Sequence, residues 1–97
     1  MFTIPIQEGS SVALPAVDAH VGRAYRARIV RVPDEVEGVV VSVGANDFTA
    51  EQIPGGEWIV TLPPSLFTTA GQKFAYEIDG YIEDECVYLG GGTVFVS

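Results

Sequence analysis

Apolar and polar residues alternate along most of this chain in short runs, each closed by glycine, proline or an acidic cluster. A period of two puts successive side chains on opposite faces of an extended strand. Phe2, Ile4 and Ile6 alternate with Thr3, Pro5 and Gln7, and Pro5 makes this run edge-like because it cannot donate to a ladder. Val12 and Leu14 predict a second short strand. In "AYRARIV" the side chains of Tyr25, Ala27 and Ile29 share one face, and those of Arg26 and Arg28 the other. Val39, Val41 and Val43 point inward, with Val40 and Ser42 outward. A run from Phe48 to Ile53 approaches a "PGGE" turn. After it, Trp58, Val60 and Leu62 face the core, while Glu57, Ile59 and Thr61 face away. Pro63 and Pro64 stop that strand and predict a crossover with one turn of helix. Phe74, Tyr76 and Ile78 then alternate with Lys73, Glu77 and Asp79. The last strand runs from Cys86 to Val96, with the glycines at 90–92 marking a β-bulge. Ile82 to Glu85 is read as the solvated tip of the hairpin joining these two strands. No stretch has sustained helical spacing, so the chain is expected to be all-β, a two-sheet antiparallel sandwich of about seven strands.

Composition narrows this picture. A length of 97 residues suits one domain, residues 1–97, and a 47% hydrophobic content is enough to build a core. Thirteen acids against five bases give a net charge of −8. The imbalance is uneven: residues 1–48 hold six acids and four arginines, and residues 49–97 hold seven acids and only Lys73. So acidic a surface repels phosphate backbones and anionic lipid, which argues against nucleic-acid and membrane partners. The one cysteine, Cys86, cannot form an internal disulfide. The N-terminal "MFTIPIQEGS" lacks the basic start and apolar run of a signal peptide, and synthesis in the cytoplasm is expected.

The stretch "YIEDECVYLGGG" holds the densest candidate chemistry. A calcium site would draw on Asp79, Glu83, Asp84 and Glu85, but calcium takes six to eight oxygens from a curling loop, and three adjacent acids on a tight turn cannot converge. Zinc has only Cys86 and His20 to offer it soft or imidazole ligands. The same two residues are a poor nucleophile–base pair, because Cys86 occupies a strand position expected to pack. The triple glycine has no following lysine and introduces no helix, so it is not a phosphate loop. No catalytic residues, metal site or cofactor are expected. Exposed tyrosines could stack on sugar rings, which makes Tyr81 and Tyr88 candidate glycan contacts. On the predicted phases Val30, Val40, Ile59 and Phe95 point away from the core, and outward apolar residues of this kind mark protein contacts. These four are the candidate interface.

The segment "GGEWIVTLPPSLFTTAGQKFAYEIDGYIEDECVYLGGGTVFVS", residues 55–97, resembles the closing half of small immunoglobulin-like β-sandwich modules in phage and prophage structural proteins. The matching features are Trp58 after a turn, Pro63 at the strand end and Gly71 before Tyr76 and Ile78. The closing strand with Gly92, Val94 and Val96 completes them. The resemblance implies a non-enzymatic virion part, such as a baseplate, tail, fibre-attachment or head accessory component, carried within a phage-like particle. It implies partners that are copies of the chain itself or a neighbouring virion protein, with a homo-oligomer, a trimer for example, as the expected state. The alternative expectation is a carbohydrate-binding or adhesion module.

Overall fold

The computed structural model describes residues 21–29 and 31–96. The strands predicted over Phe2–Ile6 and Val12–Leu14, and the residues His20 and Val30, lie outside the described residues. Within them the chain forms seven strands: β1 (Tyr25–Ile29), β2 (Gly38–Val43), β3 (Asn46–Thr49), β4 (Glu51–Gln52), β5 (Trp58–Leu62), β6 (Lys73–Ile82) and β7 (Glu85–Phe95). A short 3₁₀ turn, Pro64–Leu66, lies in the crossover between β5 and β6, where the two prolines halt the strand.

The strands make two antiparallel sheets, one ordered β1-β5-β4 and the other β3-β2-β6-β7. The chain passes between sheets three times, after β1, after β3 and after β5, and this gives an immunoglobulin-like sandwich. The run from Phe48 to Ile53, expected as one strand, is divided at Ala50. Its first part pairs with β2 and its second with β5. Ala50 itself is buried and donates its N–H to the Val39 carbonyl at 2.9 Å.

Alternation predicted the inward faces correctly. Ala27 and Ile29 from β1, Val39, Val41 and Val43 from β2, Trp58, Val60 and Leu62 from β5, and Ile78 from β6 are all buried in one cluster. Phe67, from the crossover, is fully buried beside Phe74, with ring centroids 6.1 Å apart in an edge-to-face arrangement. Each such side chain contributes ~1.5–3 kcal/mol through the area it removes from water.

One irregularity in the last hairpin positions everything that follows. Ile78 lies opposite Gly90 while Asp79 lies opposite Tyr88, so Leu89 is an extra residue in β7. Leu89 and Gly90 are both buried. The bulge therefore reverses the phase of the strand. Before it the even residues Cys86 and Tyr88 face outward, and after it the odd residues Gly91, Thr93 and Phe95 do. Cys86, expected to pack in the core, is accordingly exposed.

Candidate functional site

The outward face of the four-stranded sheet is built in rows across its strands. One row runs Thr49, Val40, Asp79, Tyr88, the next Asp47, Ser42, Glu77, Gly91, and a third Gly38, Tyr81, Cys86. Three carboxylates and two tyrosines thus stand together on a flat surface. Ser42 donates its hydroxyl hydrogen to Asp47 at 2.6 Å, which fixes one end of the acidic strip. Asp79 feels the crowding most. Partial burial, then its hydrogen bond with Glu77 and the charges of Glu77 and Asp47, push its carboxyl up to about 6.

The glycines of "LGGGT" make room for tyrosine rings on both sides of β7. A Cβ on Gly91 would stand 3.0 Å from the Tyr88 hydroxyl oxygen and 2.7 Å from the Tyr76 carbonyl oxygen. On the inner side, a Cβ on Gly92 would stand 2.9 Å from the Tyr76 hydroxyl. Tyr88 consequently lies along the strand over Gly91, toward Glu77. Tyr81, next to Cys86 across the hairpin, has its hydroxyl pushed above the usual range, first by the Cys86 charge. The hairpin tip is a two-residue turn at Glu83 and Asp84, with φ of 49° and 68°. The acids that look dense in sequence point into solvent there, and no group of three potential metal ligands converges among the described residues.

The opposite outward face, that of the three-stranded sheet, has different chemistry. All four arginines of the chain fall between residues 23 and 31. Arg26 and Arg28 project from β1 opposite Thr61 and Ile59, with exposed Arg23 and Arg31 flanking the strand. Arg28 pairs with Glu57 at 3.3 Å, and Glu51 of β4 lies opposite Ile59 on the other side. An open cleft of about 380 Å³ runs beside this pair, lined by Arg28, Arg31, Val32, Gly56, Glu57 and Trp58.

Of the candidate interface residues, Val40 and Phe95 share the outward face of the four-stranded sheet, Val40 beside Asp79 and Phe95 at the far end opposite Lys73. The Lys73 ammonium lies 5.7 Å from the Phe95 ring centroid. Ile59 lies on the other sheet, half-buried between Arg28 and Glu51. The structure therefore divides these residues between two surfaces. Tyr81 and Tyr88, both exposed, are brought onto one face in adjacent rows, with Asp79 directly opposite Tyr88. The acids Asp47 and Glu77, and Ser42 between them, were not singled out by sequence, because only the strand pairing places Asp47 near Glu77.

No family model matches the sequence, and no curated relative matches it. Among solved structures the chain is similar to the X-ray structure of the endo-beta-1,4-mannanase from Thermotoga petrophila, with a TM-score of 0.62 and 15% sequence identity. The likeness covers 90% of this chain and 19% of that one. At this identity it shows the fold alone.

Proposed function

We propose that this chain is a non-enzymatic β-sandwich subunit that acts by protein–protein contact, of the kind used as a baseplate, tail, fibre-attachment or head accessory component of a phage-like particle. The observation that carries this reading is where the exposed large apolar side chains fall. Three of them, Tyr81, Tyr88 and Phe95, stand on one face, the outward side of β6 and β7, at 39%, 50% and 61% exposure. Aromatics that remain wet on a regular sheet face are stabilised by a covering partner. The resemblance of residues 55–97 to particle modules supplies the kind of assembly.

A second reading, a glycan-contact module, is favoured by Tyr88, exposed beside Asp79 with its hydroxyl over Gly91, opposite Glu77. A ring can stack on a sugar face while carboxylates accept hydrogen bonds from its hydroxyls. Two measurements separate the readings: solution mass by light scattering over a wide concentration range, and calorimetric titration with soluble mannan and cello-oligosaccharides. Assembly expects a mass that rises with concentration, falls on Phe95→Lys or Val40→Lys, and no saturable heat with the glycans. A chain that stays monomeric and gives saturable heat abolished by Tyr88→Ala would sink the assembly reading in favour of glycan contact.

A further inference from the structure

The charges of this molecule are sorted by face. The outward side of the four-stranded sheet carries Asp47, Glu77 and Asp79, with three more acids at the adjoining hairpin tip and a single base, Lys73, at the far end. The outward side of the three-stranded sheet carries Arg26 and Arg28, extended by Arg23 and Arg31, against Glu51 and Glu57. Four of the chain's five bases are thus gathered along one strand, although its net charge is −8. Each face also has an apolar centre, Val40 on the acidic one and Ile59 on the arginine one, both half-buried.

We propose that copies of this chain stack head to tail, the arginine face of one against the acidic, tyrosine-bearing face of the next. This inference rests on the assembly reading above and names its partner. The complementarity is chemical as well as electrostatic. A guanidinium can take a carboxylate in a bidentate fork and lie flat on a tyrosine ring, and the acidic face offers both. Stacking in this sense brings Ile59 of one copy toward Val40 of the next, with charged groups around them. Apolar contact at the centre and ion pairs at the rim is the usual anatomy of a protein interface. A two-fold symmetric pair of like faces would oppose acid to acid or arginine to arginine, which is unfavourable. Because the complementary faces lie on opposite sides of the sandwich, one symmetric contact cannot engage both. The arrangement is heterologous, so it closes into a ring or continues as a column.

Complementary face variants provide the test, in the full chain. One carries Arg26→Glu and Arg28→Glu and keeps an intact acidic face. The other carries Glu77→Lys and Asp79→Lys and keeps an intact arginine face. Milder versions, R26Q/R28Q and E77Q/D79N, serve if a charge reversal impairs folding, which circular dichroism reports. Wild type is expected to show concentration-dependent mass by light scattering. Each variant alone should be monomeric, its association weakened by at least ~100-fold, as like-charge juxtaposition predicts. Their equimolar mixture should regain concentration-dependent mass, because the two reversed faces are as complementary as the two intact ones. The neutral pair R26Q/R28Q and E77Q/D79N, with one working face each, should instead stop at a heterodimer. Variants that associate as wild type does, or monomeric variants that fail to combine, would overturn head-to-tail stacking and leave the assembly reading standing. A wild-type chain that is monomeric at every concentration overturns it as well, and the glycan titration then decides the broader reading independently.

Discussion

Asp79 shows how a single residue can carry the tension of a surface. Its carboxyl is raised from 3.8 to about 6 because partial burial and two neighbouring acids disfavour its charge. In the folded chain it holds its proton to a higher pH than in the unfolded chain. Between these two values the folded state binds more protons, so stability falls as pH rises from about 4 to about 6 and stays at the lower level above that. Asp79→Asn removes the charge and should stabilise the fold at pH 7.5, by ~1 kcal/mol once solvent screening is allowed for. The gain should vanish near pH 4, where Asp79 is already neutral. Urea midpoints at the two pH values check this, and an equal gain at both would contradict the origin assigned to the shift.

Among the elements, the β6–β7 hairpin turns through Glu83 and Asp84, both with positive φ and both carrying a Cβ. Two such residues in a two-residue loop define the turn whose twist matches the flanking strands, and Asn-Gly is its preferred filling. Glu83→Asn with Asp84→Gly should therefore raise stability by ~1 kcal/mol, less any entropic cost of the new glycine. Chemical denaturation measures it, and an unchanged or lowered midpoint would show that the two acids make a compensating interaction. The same hairpin shows what alternation can and cannot say. Glycines at 90–92 announced a bulge, but alternation read across it assigned Cys86 to the core. The extra residue Leu89 reverses the phase, because two consecutive side-chain positions on β7 turn inward opposite one step of β6. Ala50 poses a similar problem. Its neighbours alternate like one strand, and only pairing with two different partners reveals the change of sheet.

For the whole molecule, topology dominates. Two of the five strand pairings among the described residues, β1–β5 and β2–β6, join distant parts of the chain, and such folds pay loop-closure entropy before contacts form. Refolding is expected in the ~millisecond-to-second range, with a minor slower phase from the prolines of the unfolded chain. Trp58, the single tryptophan and buried in the core, is a built-in fluorescence probe for stopped-flow measurement. A main phase in microseconds would contradict the rate expected from this topology.

The division between sequence and tertiary structure follows from the range of the interactions. Alternation is local, since neighbouring side chains on a strand must point to opposite sides. It was enough to determine an all-β chain, the inward residues of β1, β2, β5 and β6, the proline-stopped crossover and the acidic tip. Which strands become neighbours depends on contacts between distant segments, and no local pattern encodes it. Pairing alone put Asp47, Ser42, Glu77 and Asp79 in one strip with Tyr81 and Tyr88. It also placed Val40 and Ile59 on opposite faces and set the arginines on the face away from Asp47, Glu77 and Asp79. The sequence holds the charges, and the order of strands across the two sheets decides which of them share a surface.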